Sequence, residues 1–331
     1  MKILVTGATG YVGQSLTTRL LNLGHTVHVL CRQKPEGDLF NHERITIFNG
    51  DLLNRDAIRQ AMAGCEQVYH VAAYARAWAK DPKTYFKINV QGTVNILDAA
   101  LEAGVSKAVY TSTGATFGTS NGSPVSENSV RVFDFFTEYE SSKFMAEEKV
   151  QHYVRKGLDV SIVHPVRVYG PGVWTESNVI SMMIKSYVEG NWHVIPGDGN
   201  ALGCFSYIDD VVNGHLLAME NGKPGEKYIL GGENMNFNQF FDLLKQITNK
   251  HYLLVHIPLP LLMLFGWKEE AFSRWFNKEP LITRKWINKY RHNLDCSCEK
   301  AIRELGYTVT PMEEGIRKTL EWIESSKKVY I

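Results

Sequence analysis

The 331-residue sequence has almost no net charge. Lysine and arginine number 36 against 35 aspartates and glutamates, for a formal charge of +1. That balance leaves no broad electrostatic footprint for nucleic acid or an anionic membrane, so a small molecule is the expected partner. Cysteine is scarce. Cys31, Cys65, Cys204, Cys296 and Cys298 form an odd set without paired spacing, which argues against a disulfide framework and fits a reduced, cytoplasmic setting. Cys296 and Cys298 have no second ligand cluster nearby, so a helix start is expected there and no metal site. No apolar run reaches the roughly 20 residues of a membrane span. The most apolar stretch, YLLVHIPLPLLMLFGW from Tyr252 to Trp267, contains Pro258 and Pro260 and reads as a buried strand followed by a helix, with a membrane-surface element as the lesser alternative. The chain opens directly on MKILVTGATG without a charged leader, apolar run and small-residue cleavage site, so no signal peptide is expected. Repeats and low-complexity tracts are absent as well.

What is present is alternation. Short apolar runs (ILVT from Ile3, TVHVL, ITIFN, VYHVA, KAVYTS and DVSIVH) read as strands. Between them, amphipathic stretches over Val12–Leu23, from Asn54 to about Gly64, Phe86–Ala103 and Tyr139–Lys156 read as helices. This order predicts an α/β chain with a parallel, doubly wound sheet and helices on both faces. After HPVRVYGPG the pattern changes. Gly and Pro cluster at 170–172 and 196–199, a helix is expected over about Asn178–Glu189, and FSYIDDVVNGHLLAM reads as a strand entering a helix with Asp209 and Asp210 in its first turn. From about Asn236 the chain reads as mainly helical. The expected division is a nucleotide-binding domain of residues 1–168 plus about 201–231, and a smaller substrate-binding lobe of about 169–200 plus 232–331.

TGATGYVG places Gly7, Gly10 and Gly13 between the first strand and the first helix. Such a turn brings backbone N–H groups and a helix N-terminus against a pyrophosphate. An acid at the end of the second strand usually meets an unphosphorylated ribose. Here that strand runs into Cys31-Arg32-Gln33-Lys34, with no acid before Glu36. Arg32 can pair with a 2′-phosphate, which favours NADP(H) over NAD(H).

YESSK, from Tyr139 to Lys143, carries a phenol and an ammonium four residues apart. On a helix they share a face. A neighbouring ammonium would lower the phenol from its ordinary pKa near 10 and fit it for proton transfer.

Together, TGATGYVG, NGDL (Asn49–Leu52), VYHVAA (Val68–Ala73), NVQGT (Asn89–Thr93), TSTGATFG (Thr111–Gly118), YESSK, HPVRVYGPG and YIDD resemble the extended short-chain dehydrogenase/reductase family. That is the group of NAD-dependent epimerases, dehydratases and dihydroflavonol-reductase-like enzymes. The resemblance runs from Met1 to about Trp322. It implies a Rossmann-type sheet and a catalytic set of Thr113, Tyr139 and Lys143, with Ser112 the alternative hydroxyl. It implies further that Thr9, Tyr11 and Val12 of the glycine turn, Asp51, Leu52, Ala72, Ala73, Asn89, Thr111, Pro165 and Val168 help to hold the cofactor. Asp51 would bond the adenine amino group, unless it only caps a turn. Lys143 would also bond the nicotinamide ribose. His164 stands where many members have Arg and is expected to be packed at a strand end.

Departures from the family pattern bear on the substrate. Sugar dehydratases follow the catalytic Thr with Asp-Glu, whereas Thr113 is followed by Gly114 and Ala115. Nucleotide-sugar enzymes often place an Arg before the F-x-x-x-D-D strand, whereas GDGNALGCFSYIDD has no Arg or Lys. Aromatic residues mark the expected pocket: Trp78, Tyr85, Phe136 and Trp174, with Phe133 and Phe135. These features favour reduction of an apolar ketone, of 3-oxoacyl or dihydroflavonol type. A nucleotide-sugar epimerase is the second reading and a non-catalytic nucleotide sensor the third. Arg76, Arg131 and Arg167 are candidates to hold a carboxylate or a thioester cofactor, or are surface residues. The resemblance also implies a homodimer through the helices Phe86–Ala103 and Tyr139–Lys156, although Phe144, Val150 and Val154 fit a monomer core equally.

Overall fold

The computed structural model describes residues 1–35, 37–176, 178–276 and 278–328. β1 (Lys2–Thr6) leads through the glycine turn into α1 (Tyr11–Asn22). β2 (Thr26–Cys31), β3 (Ile45–Asn49), α2 (Arg55–Met62) and β4 (Gln67–His70) follow. Next come a short α3 (Lys83–Phe86), a π-helical turn (Lys87–Gln91) and α4 (Gly92–Glu102). β5 (Lys107–Thr111), α5 (Glu138–Arg155) and β6 (Val160–Pro165) complete the first half. The second half holds β7 (Arg167–Tyr169), α6 (Val179–Val188), β8 (Val194–Pro196), β9 (Leu202–Tyr207), α7 (Ile208–Asn221), β10 (Lys227–Leu230) and β11 (Glu233–Asn236). It ends with α8 (Phe237–Thr248), β12 (Val255–Ile257), α9 (Leu259–Phe276), α10 (Arg284–Asn288), α11 (Glu299–Leu305) and α12 (Met312–Lys328).

Seven strands form one parallel sheet in the order β10-β6-β5-β4-β1-β2-β3. Reading outward from β1, the order reverses between β1 and β4, and such a switch point opens a crevice at the carboxyl ends of the strands. The runs that read as strands are continuously apolar because both sheet faces are covered. Ile3 and Val5 enter one core with α1 and α7, while Leu4 enters the other with residues of α2, α4 and α5. Two small sheets, β11-β9-β7 and β12-β8, lie outside the main one.

The stretch expected as one helix, Phe86–Ala103, carries a wider turn. At 87–91 the backbone is π-helical, and the Asn89 carbonyl accepts the Thr93 hydroxyl at 2.6 Å. Asn54 caps α2 as its sequence suggests, accepting from the Ala57 amide at 3.0 Å. Cys298 stands at the N-cap of α11. Val150 is wholly buried in the monomer core, and the Phe144 ring lies 5.3 Å from that of Phe135.

One expectation is overturned. The strand within Tyr252–Trp267 is not buried: Val255 is 51% exposed, and on α9 the side chains of Leu261, Leu264, Phe265 and Trp267 face solvent. β12 pairs only with the short β8, so no layer covers its outer side. An apolar run signals a strand or helix but does not say whether a partner covers it. Among the described residues, no helix is long and apolar enough to cross a membrane.

Candidate active site

The glycine turn lies beside the switch point. Gly7 has φ +76°, and a Cβ there would come within 2.7 Å of the Ala72 amide nitrogen, in the loop after β4. A Cβ on Gly13 would fall 2.0 Å from the Gly7 carbonyl oxygen. The chain thus needs glycine at both positions to fold the turn this tightly. Gly10 caps α1 with backbone only; no side chain takes up the first amides of the helix. That leaves N–H groups and the positive helix end to face an anion, so these residues fit a dinucleotide pyrophosphate. The Tyr11 side chain is turned inward and donates to the Gly170 carbonyl at 3.0 Å, so only its backbone faces the turn. Thr9 is exposed, and Val12 packs partly against the core.

Of the other expected cofactor residues, Ala72 lies against this turn, facing Gly7. Arg32 is exposed at the end of β2; Glu36 lies outside the described residues. Asp51 is exposed, and its Oδ1 accepts from the amides of Leu53 (2.8 Å) and Asn54 (3.1 Å), so it caps the turn into α2. Leu52 is buried, and a Cβ on Gly92 would lie 2.8 Å from its own. Ala72 and Ala73 are half-buried in the loop after β4. Asn89 clamps that loop: its Oδ1 accepts from the Tyr74 amide at 2.7 Å, and its Nδ2 donates to the Tyr74 carbonyl and to the Ser142 hydroxyl. Pro165 ends β6, and Val168 packs in the main core.

Thr113 follows β5 directly, and α5 starts at Glu138 with Thr137 as its cap. These elements bring the Thr113 and Tyr139 hydroxyls into hydrogen-bonding reach. One helical turn on, the Lys143 ammonium is 1% exposed; it donates to the Thr111 carbonyl at 2.8 Å and lies 4.3 Å from the Tyr110 ring centroid. Burial pushes the Tyr139 phenol up to about 12, against the lowering effect of Thr113. Burial also lowers Lys143 from 10.5 to about 7, with Glu147 acting the other way. The sequence led us to expect an ammonium that depresses the phenol. In the protein alone, desolvation governs both groups, and Lys143 is held by a backbone carbonyl.

Ser112, the alternative hydroxyl, is engaged elsewhere. It donates to the buried Glu147, which also takes Nε2 of His164 at 3.0 Å and Nζ of Lys227 at 2.6 Å. His164 is therefore packed at its strand end, as expected. Burial alone would raise the Glu147 carboxyl, but His164 and Lys227 hold it well below the usual range. A second buried carboxylate, Glu140, accepts from Arg131 (3.1 Å) and the Phe136 amide (3.0 Å) and pairs with Lys289 at 2.5 Å. Sequence reasoning missed both glutamates. The only signal was that Glu140 lies inside YESSK, next to the tyrosine.

The aromatic residues do not form one wall. The Phe136 and Phe133 rings lie 5.1 and 5.3 Å from the His292 ring, beside the start of α5. Tyr85 is buried, crosses Tyr74 edge-on at 5.0 Å and donates to the Arg76 carbonyl at 2.8 Å. Trp78 is half-buried, and its carbonyl accepts from Tyr74. Trp174 lies 4.6 Å from Trp322 of α12.

The sequence profile of the NAD dependent epimerase/dehydratase family matches residues 3–231. A putative dihydroflavonol 4-reductase of Synechocystis sp. is 30% identical, over 97% of this chain and 94% of that protein. Sterol demethylase protein B of Methylococcus capsulatus is 29% identical, over 97% of this chain and 98% of its own length. In fold, a crystallised UDP-glucose 4-epimerase of Thermotoga maritima superimposes with a TM-score of 0.81 at 24% identity, covering 98% of this chain and 99% of that one.

Proposed function

The chain belongs to the NAD dependent epimerase/dehydratase family, and from that premise we propose that it is an NADP(H)-dependent carbonyl reductase for an apolar, ketone-bearing substrate. Members of this family are NAD(P)-dependent oxidoreductases, epimerases and dehydratases, so the enzyme class is settled and the reaction is the proposal. The observation that carries it is the pairing of the Thr113 and Tyr139 hydroxyls at the carboxyl end of β5, with a phenol that is protonated at neutral pH at its ordinary pKa near 10 and that burial raises further. A protonated phenol is a general acid. The nicotinamide cofactor supplies the hydride when bound. Thr113 and Tyr139 hold the carbonyl oxygen, and Tyr139 gives its proton to the oxygen as the alkoxide forms. Lys143 fixes the adjacent backbone and sets its amino group one turn below. Run in reverse, Tyr139 is the base for alcohol oxidation.

Three features favour a reductase over the sugar-acting members. Thr113 is followed by Gly114 and Ala115 and not by an acid pair. Phe133 and Phe136 lie beside the helix that carries Tyr139. The Synechocystis relative is named as a reductase. Arg32, exposed where β2 ends, supports NADP(H) over NAD(H). In this reading residues 1–168 with about 201–231 hold the nucleotide, and the remainder forms the substrate side. A homodimer through α4 and α5 belongs to the same proposal; Leu101 and Met145 are partly exposed on those helices, and light scattering tests it.

The test of function is NADPH oxidation with β-keto, flavanone-type and aldehyde substrates, run beside an epimerase assay that needs no net cofactor turnover. Turnover of a ketone supports the reductase. Epimerisation without NADPH consumption overturns it.

A further inference from the structure

The stretch GDGNALGCFSYIDD contains no cation, but the fold delivers one to it. Arg167 opens β7, where its register partner across the parallel pairing is Phe205 of β9. Its side chain runs along β9 to Gly203. A Cβ on Gly203 would fall 1.8 Å from Nη1 and 2.4 Å from Cζ of Arg167, so the guanidinium occupies the space of a side chain at position 203. The rings of Phe205 and Phe237 flank it, with centroids 5.3 and 5.5 Å from Cζ. Tyr290 contacts Phe237 at 5.8 Å and lies within electrostatic reach of the cation.

Nη1 of Arg167 is shut off from solvent and has no hydrogen-bond partner among the described residues. Its polar neighbours there are Tyr290, Cys204 and Cys296, none of them a carboxylate. The one charged group within electrostatic reach among those described is another cation, Lys289; it shares Glu140 with Arg131, and Arg131 has four backbone carbonyls besides. A guanidinium nitrogen shut off from water without an acceptor is costly, and native proteins leave few such groups; the rest of the Arg167 residue is only partly buried. Aromatic faces attract the charge but accept little from its N–H groups. A purely structural arginine would have a carboxylate or carbonyls around it, as Arg131 does. Tyr290 also lines an open groove of about 860 Å³ with Asn200, Ala201, His256 and Asn293, so one member of the ring cluster borders solvent.

We propose that Arg167 is the receptor for an oxyanion carried by the substrate, a carboxylate or a phosphoryl group, gripped over Gly203 between the rings of Phe205, Phe237 and Tyr290. The inference deepens the reductase reading and rests on it for the reaction: the substrate becomes an apolar carbonyl compound with an anionic group remote from the carbonyl. Phenylalanine and tyrosine faces suit the apolar body, and a fork-shaped guanidinium suits a planar or tetrahedral oxyanion.

The test is equilibrium binding to the NADP⁺-loaded protein, with decanoate, decyl phosphate, uridine diphosphate and neutral decanol as probes. At least one anionic probe should bind more tightly than decanol, and more weakly as salt is raised. Which one binds separates carboxylate, phosphate-monoester and diphosphate sources. Arg167→Met should weaken that anion about ten- to a hundredfold, the worth of a charged hydrogen-bonding group, and leave decanol unchanged. Its melting temperature should equal or exceed that of the wild type, because a buried unpaired charge is removed. Arg167→Lys should recover part of the anion affinity. Equal binding of all probes by the wild type, or an Arg167→Met variant that keeps anion affinity, overturns the proposal. So does a variant that loses decanol and several degrees of melting temperature together, since that marks a structural role. Binding is read without turnover. A protein that binds anions through Arg167 but oxidises NADPH with no ketone therefore refutes the reductase reading and leaves the receptor standing.

Discussion

Nζ of Lys143 lies 2.8 Å from the carbonyl oxygen of Thr111, so the end of β5 and the second turn of α5 are joined by a buried hydrogen bond. Burial lowers this lysine from 10.5 to about 7. Between those values the unfolded chain keeps a proton that the folded chain has released. The sign follows: the contribution of Lys143 to stability improves as pH rises from about 7 toward 10. Denaturant titrations of the free protein across that range should show a shallower rise for Lys143→Met than for the wild type. Parallel curves would exclude a depressed lysine.

Tyr139→Phe removes one buried hydroxyl beside Thr113. The fold and NADPH affinity should be retained while turnover falls at least about a hundredfold, the usual worth of a general acid. Steady-state kinetics and NADPH titration on one preparation check both halves. A near-wild-type rate would exclude the phenol as proton donor.

Glu147 binds Ser112, His164 and Lys227 from a buried position. Glu147→Gln leaves His164 and Lys227 without their carboxylate and should cost about 3–5 kcal/mol, as for other broken buried pairs. Because the folded carboxyl is held below its unfolded value of 4.5, its stabilisation is present at neutral pH and is lost as pH falls below that value. The variant should therefore unfold with a weaker acid dependence, read by circular dichroism between pH 7 and 3.

Arg32 faces solvent at the end of β2. Arg32→Ala should lower kcat/KM for NADPH about tenfold, the worth of a lost charge-assisted bond, and leave NADH nearly unchanged. Equal loss with both cofactors would detach Arg32 from the 2′-phosphate.

Gly7→Ala places a methyl group at φ +76° and against the Ala72 amide. The left-handed backbone alone costs about 1–2 kcal/mol. The melting temperature should drop and NADPH should fail to saturate at wild-type concentrations; a silent substitution would mean that the turn can open.

The parts of this architecture that were legible in the sequence are those fixed locally. Runs such as ILVT announce buried strands because both sheet faces are covered, and Gly7, Gly10 and Gly13 announce a turn only glycine can make. Glu140 and Glu147 were not legible. A glutamate on a helix reads as solvated, and the cations that bury these two, Lys289 and Lys227, come from distant segments. Arg167 was noticed as a charge but could not be placed, because its role depends on Gly203 being empty across a strand pairing. The burial of β12 was misread for a similar reason, although the strand and the helix α9 after it were legible: an apolar run does not report what covers it.

Trp275, near the end of α9, is 86% exposed, while Glu279, just beyond the helix, is tied to Arg76 in the loop after β4. An indole standing in water emits at the red edge and is quenched by acrylamide, unlike sheltered ones. The chain thus carries a native optical gauge on that segment. Acrylamide should quench this indole ahead of Trp267 and Trp174, which are 53% and 40% exposed, without any label.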